Sequence, residues 1–152
     1  MFNLIGVYEC KIDAKGRLPF PAAFRKQLSD VLSDGFTMKR SVFHRFIELY
    51  PMCEWKAQYE KLLKVNRFTS KNDDFIRRLM AGAKSVELDP AGRLLIPKDL
   101  LEFSGIKKNI VVAAALDKIE IWDKDAYEDA VNYDPEEFEK SAEEIMGGSS
   151  NE

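Results

Sequence analysis

The chain has 152 residues, 45% hydrophobic and 32% charged, enough for one domain or two small packed units. No apolar run approaches the roughly 20 residues that span a bilayer, and the start MFNLIGVYECK lacks the basic segment, long apolar stretch and cleavage site of a secretory signal. The formal net charge of −3 conceals a division: residues 1–84 carry 16 Lys or Arg against 9 Asp or Glu (+7), and residues 85–152 carry 7 against 17 (−10).

Val7, Glu9 and Lys11 alternate with Tyr8, Cys10 and Ile12, which predicts a half-buried strand. Asp13-x-x-Gly16 then predicts a turn, since Asp can bond its own downstream backbone and Gly permits a positive φ. Leu18 and Phe20 resume a short strand, and Pro21 suits a first helical position, where its missing N–H costs nothing. Phe24 and Leu28 give that helix an apolar face, with an end expected near Asp34-Gly35. Strands at Phe36–Lys39 and Phe46–Tyr50 follow, joined by a turn over Ser41–Arg45. Pro51–Met80 reads as helix, with Trp55, Tyr59, Leu62 and Leu63, then Phe75, Leu79 and Met80, at helical spacing. Lys64–Asn72 is the expected break, with Ser70 as N-cap.

The grammar then recurs. Ser85–Leu88 alternates, Asp89-x-x-Gly92 turns, Leu94 and Ile96 resume, and Pro97 opens a helix bearing Leu100 and Phe103 that ends near Ser104-Gly105. Ile110–Ala114 and Lys118–Trp122 are strands joined at Leu116-Asp117. Asp123–Met146 is an acidic helical stretch broken near Asp134-Pro135, and GGSSNE reads as flexible tail.

At a shift of 76 residues Gly6, Asp13, Gly16-Arg17-Leu18 and Pro21 fall on Gly82, Asp89, Gly92-Arg93-Leu94 and Pro97. Beyond four extra residues in the first copy the shift is 72, and IELYPMCEW lies over IEIWDKDAY. The chain is an internal duplication of a β-turn-β-α-β-β unit. A unit of roughly 45 residues is too small to bury a stable core alone. The expected fold is therefore α+β, with the two copies interlocked in one body: 6–53 as first repeat, 54–81 as helical linker, 82–125 as second repeat, and 126–152 as acidic stretch and tail.

Little here resembles catalytic or metal-binding machinery. His44 is the only histidine and sits in a turn, so no histidine cluster or triad forms. Neither GxxxxGK[ST] nor GxGxxG is present, and Asp73-Asp74 and the C-terminal Glu pairs read as solvated helix faces. Cys10 and Cys53 fit no ligand spacing and read as reduced, partly buried thiols. No enzyme, metal or cofactor is expected.

The DAKGR turn is the candidate site. Lys11, Lys15 and Arg17 lie within seven residues, around a turn held by Asp13 and Gly16. A guanidinium on a rigid turn can bond phosphate oxygens or the O6/N7 edge of guanine, and the lysines add sequence-blind attraction to phosphates. The competing reading pairs Asp13 with Arg17 inside the turn, with no ligand; it is supported by Asp89 and Arg93, which keep the pair in the acidic half. The second turn has Pro90 and Ala91 for Ala14 and Lys15, and Glu87 for Lys11, so Arg93 is a possible second site in a copy that chiefly completes the structure. Lys39-Arg40 with Arg45, and Arg77-Arg78, either extend a positive face or are solvated surface.

With D-x-x-G-R-L twice at this spacing, ELYP after the first copy and E-I-W-D after the second, residues 1–130 resemble the MraZ family. The resemblance implies tandem SpoVT-AbrB (swapped-hairpin) domains forming a β-barrel with flanking helices. It also implies a bacterial transcriptional regulator, cytoplasmic and nucleoid-associated, that binds short direct repeats at the promoter of the division and cell-wall gene cluster. It implies a closed homo-oligomeric ring, with Lys15 and Arg17 of the first turn on double-stranded DNA. Two other classes stay open: an oligomeric scaffold whose basic half docks an acidic protein, and an AbrB-like antitoxin that wraps a toxin.

Overall fold

The computed structural model describes residues 2–147; Met1 and all of the expected flexible tail beyond Gly147 lie outside the described residues. The first half runs β1 (Val7–Lys11), β2 (Arg17–Pro19), α1 (Ala22–Gln27), a 3-10 turn (Leu32–Asp34), β3 (Phe36–Arg40) and β4 (Ile47–Pro51). Two helices follow, α2 (Met52–Leu63) and α3 (Ser70–Met80). The second half repeats the pattern as β5 (Lys84–Val86), β6 (Arg93–Leu95), α4 (Lys98–Ser104), β7 (Asn109–Ala115) and β8 (Lys118–Asp123). The chain continues as α5 (Lys124–Val131), α6 (Pro135–Ala142) and a π turn, Glu143–Gly147.

Pro21 and Pro97 each stand directly before the first helical residue, where a fixed φ starts the helix without a lost hydrogen bond. Gly105 closes α4 in the left-handed conformation, as its sequence predicts. The first helix departs from expectation: α1 stops at Gln27, well short of Asp34-Gly35. The four residues that this copy has in excess are absorbed between Leu28 and Gly35 as turns, with Leu28, Val31 and Asp34 amides bonding back three or four residues. The cap of α3 is Thr69, whose hydroxyl accepts from the Asn72 amide, one residue before the expected Ser70.

The strands form an antiparallel six-stranded sheet ordered β1-β7-β8-β4-β3-β5 and a separate two-stranded ribbon, β2-β6. Each repeat gives its first strand away. β1 pairs with β7 of the second copy (Tyr8 opposite Val112), and β5 pairs with β3 of the first (Thr37 opposite Ser85). The ribbon pairs the copies again, Leu18 opposite Leu94. The interlocking expected from repeat size is thus made by strand exchange. The large sheet stays open, with β1 and β5 as its edges, and is not closed into a barrel.

The core mirrors the duplication. Leu18 with Leu94, Phe20 with Ile96, and Phe24 with Leu100 are matched positions, all at most 2% exposed. Phe20 also meets Phe24 and Phe36, with ring centroids 5.9 and 5.5 Å apart. Cys10 is half-buried, and burial pushes its thiol up to about 11; Cys53 is exposed, not partly buried as expected.

A buried ion ladder crosses the seam between copies. Lys39, grouped above with surface cations, is 1% exposed; its Nζ donates to Glu48 Oε1 at 2.8 Å and to the Arg40 carbonyl at 2.6 Å. Glu48 Oε2 accepts from Lys118 of the other repeat. Burial pushes the Glu48 carboxyl up, but the bonds from Lys118 and Lys39 outweigh it and hold it below its ordinary value. Removing one member of a buried pair leaves an uncompensated charge and costs about 3–5 kcal/mol, against about 0–1 for an exposed pair. Glu48→Ala should therefore lose most of that larger amount in urea denaturation, while Lys84→Ala, which breaks an exposed bridge to Asp99, should stay within the smaller one.

Candidate nucleic-acid interface

The two Asp-x-x-Gly-Arg segments fold into turns with the same hydrogen-bond pattern. In the first, Asp13 Oδ1 accepts from the Lys15 and Arg17 amides, both at 2.9 Å, and Oδ2 accepts from Arg17 Nε at 2.9 Å. In the second, Asp89 Oδ1 accepts from the Ala91 and Arg93 amides at 2.9 and 2.8 Å, and Oδ2 from Arg93 Nε at 2.9 Å. Each turn is closed by the glycine amide donating to the Asp carbonyl, at 3.0 Å for Gly16 and 2.9 Å for Gly92. Both glycines have φ near +80° (84° and 76°), a region costly for any residue with a Cβ.

The Asp–Arg pair weighed against a ligand-binding role is therefore present in both turns. It does not consume the guanidinium. Only Nε is engaged, and no bond to an Nη atom of Arg17 or Arg93 is made among the described residues. The aspartate fixes the stem of the side chain and leaves the forked end to solvent, with 31% of Arg17 and 39% of Arg93 side-chain surface exposed.

The ribbon sets where those forks stand. Strand side chains alternate faces, so Leu18 and Leu94 point into the core while Arg17, Pro19, Arg93 and Leu95 face outward. Arg17 lies opposite Leu95 and Arg93 opposite Pro19, which makes the two arginines diagonal neighbours on one face. Diagonal positions stand roughly 7–8 Å apart, with their Cβ atoms somewhat nearer. Sequence reading treated the turns as separate, one ligand-facing and one structural; the geometry brings Arg17 and Arg93 together with equal preparation.

Lys15 is exposed in its turn, and Lys11 is exposed at the end of edge strand β1, two residues before Asp13. Two further cations, absent from the motif, come beside the turns from the opposite repeat. Lys98, at the start of α4, shares a shallow groove with Lys15 and Gly16. Arg25 of α1 lies over the second turn: a Cβ added at Gly92 would stand 2.7 Å from its Nη1. Nothing local marks them; they emerge only when the exchange between copies is known.

The other basic clusters divide differently from expectation. Lys39 is buried, and Arg77 is held by Asp73 and Asp74 at 2.6 and 2.8 Å. Arg40 and Arg45 converge on one ring, 4.8 and 5.6 Å from the Phe103 centroid.

The profile described as "MraZ protein, putative antitoxin-like" matches residues 3–78 and again 79–147, the same duplication seen in the turns. The chain belongs to the MraZ family. It is 54% identical over 147 residues to a protein of Christiangramia forsetii called "Transcriptional regulator MraZ", covering 97% of this chain and 95% of that one. A protein of the same name from Flavobacterium psychrophilum is 52% identical over 147 residues, covering 97% and 94%. One from Cytophaga hutchinsonii is 36% identical over 141 residues, covering 93% of each chain.

The acidic limb of a titration reads the family turn directly. The Arg17 amide does most to hold the Asp13 carboxyl below its ordinary 3.8, with the guanidinium and the Lys15 amide adding to it; Asp89 is held down in the same way by Arg93 and Ala91. A carboxyl depressed on folding contributes stability that is complete above 3.8 and is lost as pH falls through the lowered folded value. Carboxyl-detected NMR titration should show both aspartates with midpoints under 3.8, and the Arg17 and Arg93 amide resonances moving with them.

Proposed function

We propose that the chain is a non-enzymatic, sequence-specific DNA-binding transcription regulator that contacts the duplex through the β2-β6 ribbon. The observation that carries this reading is the pair of guanidiniums held by Asp13 and Asp89 on one outward face with their Nη ends free. Such forks fit phosphate oxygens or the guanine edge, and Lys15 and Lys11 supply sequence-blind attraction. Arg17 and Lys15 are the principal contacts and Arg93 the second. The names of the relatives support regulation of transcription. No described helix is long and apolar enough to cross a membrane.

The finer reading follows the family resemblance. The protein acts in the cytoplasm on the nucleoid, at short direct repeats before the division and cell-wall genes, as a closed ring of identical subunits. The exchanged β1 and β5 support a swapped-hairpin fold, in which repeats 6–53 and 82–125 interlock as one AbrB-like body flanked by the linker 54–81 and by α5 and α6. Helices α2 and α3 expose Tyr59, Leu63 and Phe75 on a segment with seven Lys or Arg against four Asp or Glu over residues 52–80. Helices α5 and α6 expose Val131 and Phe138, with two Lys against nine Asp or Glu over residues 124–147. Apolar faces of opposite charge suit a head-to-tail contact, and a ring of weak sites gains affinity through effective concentration. In sedimentation, high salt should shift the assembly to smaller species; an unchanged assembly would show that charge is not the main glue.

The direct test is to select bound fragments from random DNA and titrate them against wild type and Arg17→Ala. Loss of a bidentate contact is worth about 1–3 kcal/mol, so affinity should drop roughly tenfold to a hundredfold while circular dichroism stays unchanged. Equal affinity of the two proteins would overturn the assignment. Binding to an acidic protein with no linear fall of log affinity against log salt on DNA would favour the scaffold reading instead.

A further inference from the structure

We infer that the DNA-binding surface is a single basic stripe built by both repeats, in which Lys98 and Arg25 flank the two arginines and contact phosphates. This rests on the regulator reading above and names residues that the Asp-x-x-Gly-Arg motif does not contain.

The stripe follows from the ribbon register. Ile96 N donates to Gly16 O at 2.8 Å, and Phe20 N donates to Gly92 O at 3.1 Å, so each turn is stitched to the strand that leads into the other repeat's helix. The helix beyond Ile96 is α4, which brings Lys98 to the first turn, beside Lys15. The helix beyond Phe20 is α1, which brings Arg25 over the second turn, where its Nη1 would lie 2.7 Å and its Cζ 3.3 Å from a Cβ on Gly92. The surface therefore reads Lys98 and Lys15, then Arg17, then the diagonal Arg93, then Arg25.

The matched positions show that the two ends differ in a compensating way. At the shift of 76, Arg25 corresponds to Leu101, which lies 3.4 Å from a Cβ added at Gly16, and Lys98 corresponds to Ala22. The first turn keeps its own Lys15 where the second has Ala91. What the second turn lacks in its own sequence, Arg25 supplies from the first repeat.

None of these outer cations is neutralised. Lys15, Arg25 and Lys98 are exposed and form no ion pair among the described residues, whereas Arg17 and Arg93 are each half-engaged by an aspartate. Three like charges left unpaired around one ribbon are costly by self-repulsion unless an anion meets them. A regularly charged polyanion, long enough to pass both turns, fits that arrangement better than a single small anion.

The test uses the full chain and a random-sequence duplex, because phosphate contacts carry no base information. Binding is titrated against salt for wild type, Arg25→Gln, Lys98→Gln, and the charge-preserving Arg25→Lys and Lys98→Arg. Arg25→Gln and Lys98→Gln should each lower the slope of log affinity on log salt by about one per engaged subunit. The charge-preserving variants should restore the slope. Wild-type slopes for Arg25→Gln and Lys98→Gln, with Arg17→Ala still impaired, would overturn the stripe and leave the regulator reading standing. Failure of the wild type to bind any duplex would overturn both.

Discussion

Two backbone hydrogen bonds, Phe20 N to Gly92 O and Ile96 N to Gly16 O, fix everything that concerns the candidate interface. They bind the turn of each repeat to the strand of the other, so neither half can set its own arginine without its twin. The same stitching adds to the need for glycine in the first turn. A positive φ is one reason; the other is that the opposite strand comes so near that a Cβ at Gly16 would lie 3.1 Å from the Ile96 carbonyl oxygen. Duplication is then a condition of the fold. A lone repeat would expose β2 as an unpaired three-residue strand and leave Leu18 and Phe20 without Leu94 and Ile96 to cover them.

The local grammar was legible because it rests on short-range chemistry. Asp13 and Asp89 announce turns by bonding amides two and four residues on, and Pro21 and Pro97 announce helix starts by their fixed φ. The long-range choices were not legible. Alternation says that β1 has two faces but not that its partner is β7 and not its own repeat, since any edge of suitable length satisfies the pattern. The shortening of α1 was hidden for a related reason: four inserted residues can extend a helix or fold as turns, and only the packing of Leu28 against the core decides.

Lys39 owes its burial to the register of one hairpin. The Ser41–Phe46 hydrogen bond closes the β3-β4 hairpin, and counting back from it places Lys39 opposite Glu48. A lysine facing a glutamate across an interior hairpin is a pair to be tested for burial, not a surface cation. Its burial takes one cation from the surface, but Glu48 is buried with it, so the +7 of the amino half is unchanged. Arg77 is held by Asp73 and Asp74, both already counted in that sum.

What remains outward-facing suggests a division of labour at the ribbon. Each Asp–Arg pair is close to neutral as a unit, so it attracts little at a distance, and the screening length of about 8 Å at physiological salt confines it further. Its strength is direction: an Nε anchored by carboxylate presents two Nη donors with little rotamer freedom left to lose. The long-range attraction must come from the cations that have no acid beside them, and those are contributed by both repeats, Lys15 and Arg25 by the first and Lys98 by the second. The acidic character of the second half is thus a property of the chain and not of the ribbon. Strand exchange moves α1 of the basic half onto the turn of the acidic half, so charge that is segregated in sequence becomes shared in space.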